Sequence, residues 1–307
     1  MGRYVVRRLL QMIPVFFGAT LLIFLMVNVM GDPIAGLCGE RRCDPATAAQ
    51  LRKEFGLDKP LWQQYATYMG NVFTGDFGTA FNGQEVTELM AEAFPVTIRL
   101  TLVAIAFEIV IGIVLGVVTG LRRGRPVDTG VLLFTLVVIS VPTFVTGLLL
   151  QLLLGYKWDV IDPSVSTDAR LDELIVPGLV LASVSLAYVT RLTRTSIAEN
   201  SRADYVRTAK AKGLPRSRVI RKHLLRNSLI PVVTFIGTDV GALMGGAIVT
   251  ERIFNIHGVG YQLFQGILRQ NTQTVVGFVS VLVIVFLVAN LLVDLLYAVL
   301  DPRIRYA

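Results

Sequence analysis

The sequence predicts an all-α polytopic membrane protein with six transmembrane helices and both termini in the cytoplasm. Hydrophobic residues make up 53% of the 307 residues and charged residues only 17%. The apolar residues form long blocks, unlike the short periodic stretches of a soluble domain, and six blocks reach or approach the roughly 20 residues that cross a bilayer. The blocks run from about Leu9 to Met30, Val96 to Gly120, Val131 to Leu154, Leu174 to Tyr188, Leu229 to Val249 and Val275 to Leu300.

The basic residues set the predicted orientation, because cytoplasmic connections of membrane proteins are enriched in lysine and arginine. With both ends inside, the N-terminus, two connections and the tail hold 19 of the 29 basic residues. The connection from Arg191 to Arg226 carries 11 of them, whereas the outside segment from Gly31 to Pro95 has five basic and nine acidic residues. The positive charge therefore reflects topology and contact with membrane lipid. Since no nucleic-acid-binding module accompanies it, we expect no nucleic-acid partner.

This topology divides the chain into three parts. Residues 1–30 form the cytoplasmic N-terminus and first span, residues 31–95 an extracytoplasmic segment, and residues 96–307 a core of spans two to six. The core includes a long cytoplasmic loop over residues 191–227. The extracytoplasmic segment predicts a helix ending near Gly56, a second one after Pro60 and a turn from Gly75 to Gly78. We expect a multi-pass protein of the cytoplasmic membrane.

Two spans carry glycines at four-residue spacing, which lets helices pack closely in lipid. Span two has Gly112, Gly116 and Gly120, and span five has Gly237, Gly241 and Gly245. We expect both helices to pack inside a bundle.

Charged residues at membrane depth are costly and point to function. Glu108 lies on the glycine stripe of span two, where a hydrogen bond to a neighbouring helix is the structural alternative. Asp239 points away from the glycines of span five and either lines a polar pathway or belongs to a buried pair. Pro142, with Thr143 after it, and Pro177 predict kinks in spans three and four. Pro142 and Thr143 therefore join the two acids as pathway candidates.

The chain carries few residues for catalysis or metal binding. Cys38 and Cys43 lie outside the membrane, where they allow a disulfide or remain as two unlinked thiols, and no histidine stands beside them to complete a metal site. His223 and His257 fall on opposite sides of the membrane. The sequence contains no G-x-x-x-x-G-K-[ST] or G-x-G-x-x-G phosphate-binding motif. We expect no catalytic residue, metal or cofactor on this chain.

The most basic connection predicts two helices separated by a sharp turn. Ser201 is a predicted N-cap with Asp204 three positions later, and Gly213 followed by Pro215 is a stop signal. The first helix is bracketed by Arg202 and Lys212, and the second runs from Pro215 towards Asn227.

The first of these helices presents Ala203, Val206 and Ala209 as a narrow apolar stripe, which suits a shallow groove on another protein. A solvated loop that touches anionic lipid is the alternative. That alternative explains the charge but not the cap and the stop signal.

The connection resembles the cytoplasmic EAA loop of bacterial ABC-importer permeases in its peptide-importer version. The matching residues are Asp204 to Gly213, His223 to Asn227 and Ile230-Pro231. The general pattern has Glu-Ala-Ala six residues before its glycine, and Arg207, Thr208 and Ala209 stand at those places here. Further similarity lies in Gly31 to Ile34, Phe55 to Leu61, Gly75 to Gly78, Arg122 to Gly124, Asn290 to Tyr297 and Asp301 to Arg303.

The resemblance implies the type I importer fold and the first of two permease subunits of a dipeptide or oligopeptide importer. Its partners would be a second homologous permease, two ABC ATPase subunits that bind ATP and Mg, and an extracytoplasmic substrate-binding protein. The residues implied to couple to the ATPase are Ala203, Asp204, Tyr205, Val206, Arg207, Thr208, Ala209, Lys210, Ala211, Lys212 and Gly213. Those implied to contact the binding protein are Glu251, Phe254, His257, Gly258 and Gly260.

Two alternatives remain open at this point. An ABC importer of nickel complexes or glutathione would share the same permease features. A proton- or ion-coupled secondary transporter, or a channel, would use Glu108 and Asp239 as its ion-sensitive groups, although the sequence has no detectable inverted repeat of the kind common in secondary transporters.

Overall fold

The computed structural model of the chain describes residues 2–30, 34, 44–54, 56–80 and 83–300. Within these ranges the chain is helical apart from turns and an isolated antiparallel bridge between Thr79 and Glu85. Cys38 and Cys43 lie outside the described residues, so their pairing stays a prediction.

In chain order the α-helices are α1 (Gly2–Met30), α2 (Pro45–Glu54), α3 (Leu61–Thr74), α4 (Val86–Phe107), α5 (Ile113–Leu121), α6 (Pro126–Ser140), α7 (Thr143–Leu150), α8 (Ile175–Asn200), α9 (Asp204–Ala211), α10 (Arg216–Arg218), α11 (Leu225–Ser228), α12 (Ile230–Ile253), α13 (Val259–Leu268) and α14 (Thr272–Leu300). Three π-helical segments continue these helices. Glu108–Gly112 joins α4 to α5, Gln151–Lys157 extends α7, and Val219–Leu224 joins α10 to α11.

Five continuous helical stretches of the described chain are long and apolar enough to cross a membrane. They cover Val5–Asn28, Val86–Leu121, Ile175–Asn200, Ile230–Ile253 and Thr272–Leu295. The pair of α6 with α7 and its π-helical extension meets the same criterion together, but is bent by 98°. The chain is therefore an all-α polytopic membrane protein with five spans, or six if the bent pair counts as one.

The predicted kink at Pro142 is confirmed as a complete break. Helix α6 ends at Ser140, Val141 is extended, and Pro142 precedes the first residue of α7. The predicted kink at Pro177 is wrong, because this proline lies in the first turn of α8, where its missing N–H costs no hydrogen bond.

Helix α8 also runs to Asn200, well beyond the predicted end of the fourth span at Tyr188. The apolar block fades at Arg191, but helicity does not depend on contact with lipid, and the helix continues past it.

The contacts divide the chain into two compact units, the first of which is Met1–Thr97 with Asn255–Val288. Its helices α2 and α3 occur where they were predicted. The predicted turn at Gly75 is confirmed as well: the glycine has φ 79° and the Gly78 N–H donates to Asp76 Oδ1 at 2.9 Å. This segment is therefore a folded part of the unit.

Two tyrosines attach α3 to transmembrane helices of the same unit. The Tyr65 hydroxyl lies 3.0 Å from Thr20 Oγ1, and its ring contacts Phe24. The Tyr68 hydroxyl lies 2.6 Å from Ser280 Oγ and donates to the Val276 carbonyl at 3.1 Å. Burial raises the pKa of Tyr68 to about 12, so the hydroxyl keeps its proton at physiological pH.

The second unit, Ile98–Phe254 with Ala289–Ala307, is built around α8. A Cβ added at Gly112 would lie 2.8 Å from Val189 Cγ1, and one at Gly120 would lie 2.8 Å from Ile197 Cβ. Between them, a Cβ at Gly116 would overlap Thr193. The glycine stripe of span two is thus confirmed as a close packing surface, and its partner is α8.

The glycines of span five do not form one equivalent stripe. A Cβ at Gly237 would lie 2.7 Å from Val293 Cγ2, so this glycine permits close contact with α14. A Cβ at Gly245 would meet no described atom within 4 Å. Gly237 therefore packs closely against α14, whereas Gly245 packs closely against no described residue.

Candidate functional site

The segment between α8 and α12 folds back onto the end of α8. Its apolar side chains join a buried cluster with Ile197 of α8, and partly buried residues of α5 and of the segment itself cover the cluster. The buried members are Ile197, Val206, Ala209, Val219 and Leu224, and the covering residues are Val117, Leu121, Leu214 and Leu225. The segment is therefore anchored to the transmembrane helices and is not a solvated loop.

The start of α9 differs from its prediction. Ser201 is not its N-cap, because the Ser201 hydroxyl donates back to the Ala198 carbonyl at 2.8 Å and closes the end of α8. Ala203 takes the N-cap position without a side-chain hydrogen bond, and α9 begins at Asp204, not Arg202. Near this junction, the Tyr205 hydroxyl donates to Asn200 Oδ1 at 2.7 Å.

The predicted stop at Gly213 is confirmed. Gly213 has φ 72°, and its N–H donates to the Lys210 carbonyl, while the Leu214 N–H donates to the Ala209 carbonyl. These two bonds satisfy carbonyls that the end of a helix otherwise leaves free, and the left-handed glycine reverses the chain. Pro215 then caps the predicted second helix, which forms as α10, the π-helical segment and α11.

The apolar stripe of α9 faces this chain and not a partner. Val206 is 1% exposed and Ala209 is 4% exposed, because both pack into the cluster around Ile197. The exposed residues of α9 and its C-cap are mostly polar and basic, and they are Asp204, Tyr205, Arg207, Thr208, Lys210, Ala211 and Lys212. Any partner of this helix must therefore bind a hydrophilic face.

A buried ion pair that the sequence did not reveal lies between α6 and α8. Arg194 Nε and Nη2 donate to the two carboxylate oxygens of Asp128 at 2.5 and 2.8 Å. The Gly124 N–H donates to Asp128 Oδ2 at 2.8 Å, and the Asp128 side chain is 3% exposed. An acidic residue just after three arginines was the available signal. The pair ties the α5–α6 connection to α8.

The structure brings two of the four pathway candidates together. Glu108 is fully buried in the π-helical turn, and its carboxyl group interacts with that of Asp239 on α12. Pro142 and Thr143 lie at the bend between α6 and α7, where Pro142 is exposed and Thr143 half-buried. The four candidates thus occupy two distinct features, an acidic pair and a helix break.

The stretch from Glu251 to Gly260 is mostly buried. Glu251 is 0% exposed and Phe254 is 1% exposed, so their side chains are not available to a partner in this conformation. The end of α12 is held in place because Gln151 Nε2 donates to the Ile253 carbonyl at 2.7 Å. Of the predicted contact residues, Gly258 and Gly260 are also buried, and His257 is half-buried.

A small cavity of about 60 Å³ lies in the first unit. Its lining residues are Ala80, Leu89, Gln262, Gln265, Gly266, Arg269, Asn271 and Thr274. A cavity of this size has room for a few ordered water molecules. Among the described residues, no group of three or more histidine, cysteine or acidic side chains could hold a metal ion.

Comparison with known proteins places this architecture in a family. The family described as "Binding-protein-dependent transport system inner membrane component" matches residues 112–306, and its N-terminal counterpart matches residues 1–101.

Three curated proteins align with the whole chain. The dipeptide transport system permease protein of Escherichia coli K12 is 38% identical over 337 residues, which covers 100% of this chain and 99% of that protein. The di/tripeptide transport system permease protein of Pseudomonas aeruginosa is 39% identical, with 99% and 98% covered. The glutathione transport system permease protein of Pectobacterium atrosepticum is 37% identical, with both chains covered completely.

Proposed function

Because the chain belongs to the family of binding-protein-dependent transport system inner membrane components, we propose that it is a permease subunit of an ATP-driven importer of dipeptides or short oligopeptides. The observation that carries the proposal is the 38–39% identity, over nearly the whole chain, to two permeases named for dipeptide and di/tripeptide transport. The chain is a multi-pass permease of the inner membrane and not a catalytic subunit.

The proposed topology has six spans and both termini in the cytoplasm. It counts the bent pair of α6 and α7 as the third span, and the concentration of basic residues in the connections on one side supports it. In this topology α9 lies in the cytoplasm and the stretch from Glu251 to Gly260 lies outside. In this proposal, a second homologous permease subunit completes the translocation pathway.

We further propose that α9 is the coupling helix that receives the motion of two ATPase subunits. Three features support this role: the hydrophilic exposed face, the buried cluster that joins α9 to α8, and the defined reversal at Gly213. Because α9 is packed against the end of α8, a force that the ATPase subunits exert on α9 would move both helices together as a rigid element. ATP and Mg would bind on the ATPase subunits.

Reversing the charge of Lys210, which is exposed on α9, should uncouple the transporter. We expect Lys210→Glu to lower ATP-driven uptake at least tenfold, about 1.4 kcal/mol. The glutamate places a negative charge in an interface where the partner surface is proposed to be complementary to a basic face. Uptake, ATPase activity and co-purification of the ATPase are measured on the assembled complex.

Arg122→Glu is the matched control, because it makes the same charge reversal on an exposed residue of the same proposed membrane side, outside α9. It should retain uptake. Wild-type uptake and ATPase stimulation in Lys210→Glu would refute docking through this face.

The binding protein is proposed to contact the outer surface around the α12–α13 connection. Because Glu251 and Phe254 are buried, we propose that half-buried His257 and the backbone of the connection contact the binding protein. Glu251 and Phe254 would hold the connection in place. Glu251 and Phe254 thus become supporting residues in this proposal.

Transport by the complex in proteoliposomes tests the proposed function. The permease is combined with the second permease, the ATPase and the binding protein, and labelled dipeptide is offered with ATP on the ATPase side. We expect uptake that persists when a protonophore collapses the ion gradient. Uptake that follows the gradient and ignores ATP would identify a secondary transporter.

Glutathione is the second candidate substrate, because the glutathione permease is 37% identical. Competition between unlabelled glutathione and labelled dipeptide decides between them, and mass spectrometry of the ligand retained by the binding protein identifies the natural substrate.

A further inference from the structure

Glu108 is an acidic residue in the transmembrane region of the second unit. Its side chain is fully buried, and neither carboxylate oxygen has a hydrogen-bond donor among the described residues. A buried ionised carboxylate without a partner is strongly disfavoured. Glu108 also opens the π-helical turn Glu108–Gly112, a distortion that recurs at functional sites.

Asp239 on α12 faces this carboxyl group. Ile105 and Ile236, each three residues before one of the acids, belong to the same apolar cluster, which brings the two helix faces together. The carboxyl groups interact directly, and Asp239 Oδ2 is likewise buried without a donor among the described residues. Two ionised carboxylates can only accept, so the contact becomes a hydrogen bond when one of them carries a proton.

Among the described residues, no basic side chain donates to Glu108 or to Asp239 Oδ2. The other titratable groups on these helices are Glu88, Glu92 and Arg99 on α4, Arg191, Arg194 and Glu199 on α8, and Glu251 and Arg252 on α12. Arg99 donates to the Asp168 and Ala169 carbonyls, and Arg194 pairs with Asp128. Tyr188 is half exposed beside Phe235. On α14, Asp294 follows the Val293 that packs on Gly237, and it is a third acid.

We propose that Glu108 and Asp239 form a proton-binding site, in which the two carboxyl groups share one proton through a hydrogen bond between spans two and five. With the proton bound, the junction is attractive, and the buried oxygens of both residues are satisfied. Without it, two negative charges repel each other in a low-dielectric environment. The site is independent of the transported substrate, and nothing in the proposed transport function requires it.

Infrared spectroscopy of the purified transporter complex tests the site, because a protonated carboxylic acid has a carbonyl band distinct from that of a carboxylate. We expect one such band to be lost in Glu108→Gln and also in Asp239→Asn. In either variant the new amide donates to the remaining carboxylate, which then needs no proton. Glu92→Gln, on an exposed residue of the same helix, and Asp294→Asn should keep the band.

A wild-type spectrum from which Glu108→Gln removes no band would overturn the proposal. A band that persists in Asp239→Asn would show that Glu108 is protonated alone, which overturns the sharing of the proton.

Stability against pH provides an independent measurement. A proton held in the folded state stabilises it at low pH, and this contribution is lost as the pH rises past the point at which the proton leaves. The melting temperature of the wild-type complex and of Glu92→Gln should therefore fall more steeply with rising pH than that of Glu108→Gln. Identical pH profiles for all three would contradict the site.

Discussion

Replacing Gly116 with alanine is expected to destabilise the permease more than any other single-methyl change in span two. The added Cβ would overlap the Thr193 Cβ and lie 2.7 Å from the Thr190 carbonyl oxygen. The second contact is with backbone, so a change of rotamer cannot relieve it. Helices α5 and α8 must separate, and the cost of such overpacking reaches about 3 kcal/mol.

The loss should extend beyond the mutated site. Separation at Gly116 also opens the contacts that Gly112 makes with Val189 and that Gly120 makes with Ile197. Ile197 belongs to the cluster that anchors α9. We therefore expect a lower melting temperature of the purified complex and lower ATP-driven uptake at temperatures where the wild type is stable.

Gly130→Ala is the matched control for this experiment. Gly130 lies in α6, and a Cβ there would meet no described atom within 4 Å. It should leave the melting temperature unchanged or raise it slightly, because alanine favours helix more than glycine does. If Gly116→Ala matched this control, the close contact between α5 and α8 would be refuted.

The glycine spacing predicted a packing surface, but not its partner. Four-residue spacing places Gly112, Gly116 and Gly120 on one face, which is a local property of a helix. The partner face on α8, which includes Thr193 and Ile197, lies partly beyond the apolar block that marked the fourth span. Hydropathy detects residues that contact lipid, so it could not reveal a helix that continues beyond that block.

The segment between α8 and α12 likewise shows which features local sequence can predict and which depend on the tertiary fold. Gly213 and Pro215 specify a chain reversal through backbone conformation alone, and that prediction is confirmed. Ser201 had two available hydrogen-bonding modes, forward as an N-cap or back to the Ala198 carbonyl, and the extension of α8 selected the second. The stripe with Val206 was recognised, but only the tertiary fold shows that it packs inward.

The buried pair of Asp128 and Arg194 is the second place where one substitution should have a large effect. Asp128 accepts two hydrogen bonds from the guanidinium and a third from the Gly124 N–H, so both of its oxygens are satisfied. Arg194→Ala would remove the guanidinium that donates to both oxygens of the buried carboxylate. Breaking a buried pair in this way costs about 3 kcal/mol or more.

Arg194→Lys should recover only part of that loss. Lysine keeps the positive charge, but its single ammonium group cannot form the bidentate hydrogen bonds that Arg194 Nε and Nη2 donate to the Asp128 carboxylate. Melting temperatures of the purified complex should therefore fall in the order wild type, Arg194→Lys, Arg194→Ala.

The exposed pair of Arg170 and Asp172 isolates the contribution of burial, because it has the same chemistry and a closest approach of 2.6 Å. Its side chains are 66% and 61% exposed, whereas those of Arg194 and Asp128 are 19% and 3% exposed. Water solvates the charges of the exposed pair whether or not they meet, so Arg170→Ala should leave the melting temperature unchanged within error. Equal decreases in melting temperature in Arg170→Ala and Arg194→Ala would mean that water hydrates the Asp128 carboxylate. The ion pair between α6 and α8 would then not be a buried one.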